Sequence, residues 1–210
     1  MARIVIVLYK PVNIYESGPS QQGQLARMLT FMNSASSPYR VIAVCTGNIC
    51  RSPMAELMLR AALEREGLDR MVAVDSAGTT GYEAGRPIDP RAARKLAVAH
   101  LASELHIARE WIPDWFRERD LILALDVDHY AWLSEAAPDR ESLEKIRMLR
   151  SFDPKVAGRD MLDQGIEDPW YGGQADFDTV WRQISGALPG IVDHIRAAVL
   201  RGSELQPQES

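Results

Sequence analysis

The chain has 210 residues, with 24 basic and 29 acidic side chains and a formal net charge of −5. Apolar residues make up 46% and charged residues 25%, an ordinary globular mixture that excludes disorder along the whole chain. The acidic balance argues against a nucleic-acid coat or a polybasic membrane anchor, while leaving room for a local basic pocket.

Residues 1–38 read differently from the rest. Arg3 to Leu8 is β-branched and reads as a strand, Gln24 to Met32 has helical apolar spacing, and Asn33 to Pro38 reads as a linker. The aliphatic run Ile4 to Leu8 is far too short to span a bilayer and has no small-residue cleavage region after it. A soluble, cytoplasmic protein is the expectation, with an N-terminal extension of unknown role.

From Tyr39 the pattern becomes regular. Val41 to Val44 reads as a buried strand, and Pro53 to Glu66 as a helix started by Pro53 and ended by Gly67. Val72 to Val74 is the second strand, closed by Asp75 to Gly78, and Asp89 to His100 is helical. Leu121 to Leu125 is the third strand, Asp128 to Ala136 a short helix, and Ile146 to Leu149 the fourth strand. Phe177 to Val199 carries a long amphipathic helix that Pro189 is expected to kink or divide. Ser203 to Ser210 reads as a frayed tail, so the folded domain is placed at 39–201 and a flexible tail at 202–210. Strands alternating with helices imply parallel pairing. The fold class expected is α/β: a small doubly wound domain with a central four-stranded parallel sheet flanked by helices. Ligands bind such sheets at the carboxyl ends of the strands, where Cys45, Ser76 and Asp126 fall.

The chemistry concentrates between Cys45 and Ser52. Two cysteines, Cys45 and Cys50, cannot staple a chain of this size. Four scattered histidines offer no metal spacing, and no Gly-rich dinucleotide or nucleotide signature occurs, so neither a metal nor a cofactor is expected. Cys45 opens a strand-to-helix loop, and Arg51 and Ser52 close it at the helix start. Loop amides in such a turn form an anion nest, and the helix end adds its dipole. Arg51 supplies a planar fork for two phosphate oxygens. The same field favours a thiolate at Cys45, a nucleophile. Gly47 is expected to take the left-handed conformation of the turn, with Asn48 tolerating it too. The plain alternative makes Cys45 and Cys50 small core residues and Arg51 a solvated cap.

Val44-Cys45-Thr46-Gly47-Asn48-Ile49-Cys50-Arg51-Ser52-Pro53-Met54-Ala55-Glu56 resembles the signature of the low-molecular-weight protein tyrosine phosphatases. The likeness continues through Asp75 to Tyr82, His106 to Arg109, Leu123 to Asp126, and Glu167-Asp168-Pro169-Trp170-Tyr171-Gly172-Gly173. Arg147 to Pro154 is similar to actinobacterial members.

The resemblance implies a phosphocysteine route. Cys45 attacks phosphorus; Arg51 and the loop Thr46, Gly47, Asn48, Ile49, Cys50 and Ser52 hold the oxygens; Asp168 protonates the leaving phenolate and then activates water. Alone, Asp168-Pro169 reads as a simple turn. Asn48 resembles the asparagine that shapes the loop, with Ser76 and His106 as partners, and Ser52 matches the residue that hydrogen-bonds the thiolate. Asp126 is read as a partner of Arg51 or a crevice wall, against a plain strand-end turn. Ile49, Tyr82, Trp170 and Tyr171 are the expected pocket walls around phosphotyrosine, against ordinary packing. A reversible Cys45–Cys50 disulfide is implied, against a passive buried thiol at Cys50.

The expected partners are phosphotyrosine proteins, with a tyrosine kinase as counterpart and no nucleic acid or membrane. A protein arginine phosphatase is the main alternative, weakened by Ile49, because related arginine phosphatases carry threonine there. A thiol-dependent arsenate reductase needs further cysteines to relay a disulfide. A non-catalytic phosphotyrosine-binding module would not need both Cys45 and Asp168.

Overall fold

The structure, a computed structural model, describes residues 37–204. The strand expected at 3–8, the helix expected at 24–32 and the tail residues 205–210 lie outside the described residues.

Strand β1 (Tyr39–Cys45) is central, and Val41 to Cys45 are all buried. It is paired on both edges and covered on both faces, so its sequence is continuously apolar rather than alternating. β2 (Val72–Gly78) flanks it on one side. β3 (Leu121–Ala124) and then β4 (Ile146–Met148) lie on the other. The order is β2-β1-β3-β4 and every pair is parallel. The chain leaves β1 to one side for β2 and crosses to the other for β3. The carboxyl end of β1 is therefore the switch point at which open α/β sheets bind ligands.

Period-two alternation divides the core into two layers. Val41, Ala43, Leu121 and Leu123 face helices α1 (Arg51–Arg65), α2 (Pro90–Val98) and α6 (Gln174–Glu204). Ile42, Val44, Ile122 and Ala124 face Trp111, the short helix α3 (Trp115–Glu118) and Leu133 of α4 (Val127–Ala136). A further short helix, α5 (Arg140–Glu144), precedes β4. Neither α3 nor α5 was expected from apolar spacing, because four or five residues carry too little periodicity to detect.

Three further expectations are corrected. Helix α1 begins at Arg51, two residues before Pro53, which still sits in the first turn where it forfeits no hydrogen bond. β2 runs on to Gly78, so Ser76 lies within the strand rather than after it. Helix α6 is one element of 31 residues through Pro189 and up to Glu204. Buried residues on both sides of the proline, Phe177, Val180, Ile184, Ile191 and Ile195, hold it against the core. That burial outweighs a proline penalty of about 3 kcal/mol. Gly190 beside it is a close approach, since a β-carbon there would overlap the Phe152 carbonyl oxygen.

Candidate active site

The loop after β1 turns through Asn48, which has φ +57°. Gly47 does not take the left-handed conformation; the asparagine does, and its side chain explains why. Asn48 is fully buried. Its Nδ2 donates to Ser52 Oγ at 2.9 Å and to Ser76 Oγ at 2.8 Å, and its Oδ1 accepts from the Arg109 amide at 3.0 Å. His106 Nε2 lies 2.8 Å from the Asn48 carbonyl, and a carbonyl only accepts, so that nitrogen carries a proton. Ser76 Oγ in turn donates to Glu56 Oε2 at 2.6 Å. One polar chain thus runs from buried Glu56 through Ser76, Asn48 and Ser52 to Cys45.

Cys45 is 3% exposed and its Sγ lies 3.0 Å from Ser52 Oγ. Asn48 donates to that hydroxyl oxygen, so the single hydroxyl proton has two acceptors within reach, the Ala77 carbonyl at 3.3 Å and the Cys45 sulfur. Among the described residues, the amides of Thr46 to Cys50 donate to no other group. They form the unpaired donor set an anion needs. Gly78 lets β2 pass this loop, because a β-carbon there would stand 2.6 Å from the Thr46 carbonyl oxygen.

Arg51 is 3% exposed; both of its terminal nitrogens are engaged, while its buried Nε has no partner. Nη1 donates to Asp126 Oδ2 at 2.6 Å and to the Ile166 carbonyl at 3.1 Å. Nη2 donates to Asp168 Oδ2 at 2.6 Å. The two carboxylates differ: the Asp126 side chain is 24% exposed and that of Asp168 45%. Asp126 also caps α4 through the His129 amide at 2.9 Å, and its Oδ1 lies 2.8 Å from His129 Nδ1. Burial by itself raises the Asp126 carboxyl, but His129 and then Arg51 outweigh it and hold it well below the usual carboxylate range. His129 Nε2 lies 2.9 Å from Thr46 Oγ1, so a second polar chain enters the loop from the β3 side. A groove of about 770 Å³ opens here, lined by Thr46, Arg51, Asp126, His129, Trp132 and Asp168.

The structure therefore brings together Cys45, Asn48, Arg51, Ser52, Ser76, His106, Asp126 and Asp168. It does not assemble the expected aromatic walls. Tyr82 is 89% and Tyr171 96% exposed, and no ring contact among the described residues joins them to Trp170. Ile49 is buried in the core cluster beside the loop. Cys45 and Cys50 are both free thiols. Burial, with the negative charges of Asp89 and Cys45, pushes the Cys50 thiol far up.

Sequence reading missed Glu56 and His129. Glu56 had a signal, a lone acid in the apolar first turns of α1. His129 had another, three residues after a capping aspartate. Among the described residues no cluster of three or more His, Cys, Asp or Glu side chains is arranged to hold a metal ion. No described helix is long and apolar enough to cross a membrane.

A parallel α/β sheet with a thiol at the floor of a helix-capped anion loop defines a phosphate-binding protein armed with a nucleophile. Residues 40–201 match the model of the low molecular weight phosphotyrosine protein phosphatases. A low molecular weight protein-tyrosine-phosphatase of Streptomyces coelicolor is 44% identical over 161 residues, covering 77% of this chain and 96% of the relative. The chain belongs to this family. Among solved structures, a protein tyrosine phosphatase of Entamoeba histolytica with Hepes in its active site superposes with a TM-score of 0.70 at 27% identity, covering 76% of this chain and 98% of that one. An arginine phosphatase carrying a phosphorylated active-site serine superposes at 0.64 with 26% identity, covering 75% and 95%.

Proposed function

We propose that the protein is a protein-tyrosine phosphatase that hydrolyses phosphotyrosine through a phosphocysteine intermediate. The observation that carries this reading is the Arg51 fork, held beside the Cys45 loop between Asp126 and the more exposed Asp168. Asp126 fixes the guanidinium; Asp168 occupies the arm that a phosphate oxygen would take. An arriving phosphate displaces Asp168 from Arg51, because three anions cannot share one fork. The freed carboxyl then stands near the leaving oxygen.

In the first step the Cys45 sulfur bonds to phosphorus while the tyrosine oxygen leaves with the proton of Asp168. In the second, Asp168 takes a proton from water, the water oxygen bonds to phosphorus, and the sulfur departs as thiolate. Arg51 and the free loop amides hold the non-bridging oxygens in both steps. The Ser52 hydroxyl stabilises the leaving thiolate, and the Glu56–Ser76–Asn48 chain with His106 keeps the loop in shape. Trp170, Tyr171 and Tyr82 are assigned to the phenyl ring as exposed aromatic side chains, and Ile49 to the loop wall that it forms from the core side.

Substrates are phosphoproteins, supplied by a tyrosine kinase, with no role for nucleic acid or membrane. Free thiols at the site suit the reducing cytoplasm. The catalytic domain is assigned to 39–201, preceded by an extension, residues 1–38, of unknown role.

The test compares phosphate release from a phosphotyrosine peptide and a phosphoarginine peptide, with Cys45→Ser as control. Release from phosphotyrosine that vanishes in Cys45→Ser is expected. Preference for phosphoarginine would keep the mechanism and overturn the substrate; release from neither would withdraw both.

A further inference from the structure

We infer that Arg91 is a positioning residue that ties the loop bearing Asp168 to the Cys45 loop. This rests on the reading of Asp168 as the proton donor. Arg91 touches neither the anion site nor Asp168. Its contacts point in two other directions, and together they span the gap between the two catalytic segments.

Toward the acid loop, Arg91 Nη1 donates to the Gly172 carbonyl at 2.8 Å and Nη2 to the Trp170 carbonyl at 3.1 Å. Its guanidinium carbon lies 4.8 Å from the ring centre of buried Phe177, at the start of α6, and 6.0 Å from that of Trp170. Trp170 stands two residues from Asp168, and its amide donates to Asp168 Oδ1 at 3.0 Å. The carboxylate is therefore hung from a backbone segment whose carbonyl side is gripped by Arg91.

Toward the Cys45 loop, Arg91 is locked to Asp89. Nε donates to Asp89 Oδ1 at 3.1 Å and Nη2 to Oδ2 at 2.9 Å. Asp89 is 8% exposed and caps α2 through the Arg91 amide at 2.7 Å. Its own amide donates to the Ile49 carbonyl at 2.8 Å, inside the anion loop. Burial opposes charge on Asp89, but the hydrogen bonds from Arg91 outweigh it and hold the carboxyl below its usual value. The path is continuous: Ile49 to Asp89, Asp89 to Arg91, Arg91 to Trp170 and Gly172, and Trp170 to Asp168.

The planar fork is essential to this role. It presents several donors in fixed directions, so one side chain can hold a carboxylate and two carbonyls at once. A lysine is a single point charge and cannot span all three. The alternative contact of Asp168, its ion pair with Arg51, is given up when phosphate enters. At that moment the Arg91 bridge is what keeps the acid over the leaving oxygen. Proton donation tolerates little misplacement, and about 1 Å costs on the order of a hundredfold.

The test uses the full chain and two aryl phosphates, phenyl phosphate with a poor leaving group and p-nitrophenyl phosphate with a good one. Arg91→Met is expected to lower kcat/KM for phenyl phosphate by about tenfold, and for p-nitrophenyl phosphate by less than about threefold. Arg91→Lys is expected to recover part of the loss, and it carries the test if Arg91→Met does not fold. Affinity for inorganic phosphate should stay within about threefold of wild type, because the anion loop keeps its own bonds. In an Asp168→Asn background, Arg91→Met should change the ratio between the two substrates no further. Equal losses on both substrates, or the same change of ratio without Asp168, would overturn the positioning role. If Asp168→Asn itself leaves the ratio unchanged, the acid reading fails first and the positioning role falls with it.

Discussion

Replacing Asn48 with alanine removes the amide that joins the anion loop to the sheet. Two hydrogen bonds to buried hydroxyls are lost, each worth about 1 kcal/mol net. The Arg109 amide loses its acceptor, at about 1–3 kcal/mol for a part-buried donor. Alanine at φ +57° adds about 1 kcal/mol, because its β-carbon crowds the backbone where asparagine is better tolerated. The loss of stability should therefore be roughly 4–6 kcal/mol, a large share of the 5–15 kcal/mol typical of a domain. For a chain of this size that corresponds to a fall in Tm of roughly 8–24 °C. Urea denaturation followed by tryptophan fluorescence measures it, since Trp111 and Trp115 are buried. Asn48→Gly separates the contributions: it relieves the backbone strain but loses the same three bonds, so it should regain no more than about 1 kcal/mol. A loss below about 1 kcal/mol in Asn48→Ala, or full recovery in Asn48→Gly, would refute the claim that the side-chain bonds hold the loop.

Asp126→Asn should destabilise the protein at neutral pH, and the difference from wild type should shrink as pH falls below about 4. The sign follows from the depressed Asp126 carboxyl: its contribution is complete above the unfolded value and is lost only as pH falls through the folded one. Urea titrations at pH 7 and pH 3 measure this, and a difference that grows in acid would contradict it. Gly78→Ala should be far more damaging to phosphate affinity than Gly67→Ala. The first drives a methyl group against the Thr46 backbone, whereas the second, at φ +68°, meets open space; isothermal titration with inorganic phosphate distinguishes them. Peroxide treatment should give a Cys45–Cys50 disulfide by mass spectrometry, and Cys50→Ser should advance to sulfinic acid on Cys45 instead. Sulfinic acid on Cys45 in the wild type, without a cross-link, would reject the protective bridge.

Much of the frame was legible in the sequence because its signals are local. The four strands announced themselves as short apolar runs, and the Cys45–Ser52 loop as a thiol, an arginine and a serine at fixed spacing between a strand and a helix. What misled was also local. Pro189 read as a break because propensity knows nothing of the buried residues on either side of it. Gly47 read as the left-handed residue because glycine is the default, whereas the bonds that reward that conformation belong to Asn48. Ser76 read as a turn because the pairing that extends β2 to Gly78 involves β1, 33 residues earlier in the register Cys45↔Gly78.

Local spacing specifies the class of fold and the strand-to-helix loop that carries Cys45 and Arg51, since one segment suffices for each. Which groups surround that loop is set in three dimensions. Glu56, Arg91 and the Asp126–His129 pair lie on three separate segments, and nothing in the local sequence of any one states that it meets the others around one loop. Parallel strand register and the packing of α2 and α4 beside the loop bring them within hydrogen-bond reach. A buried charge is stable only where partners from elsewhere in the chain converge on it. Arg51 is such a charge, and its partners Asp126 and Asp168 lie 75 and 117 residues away along the chain.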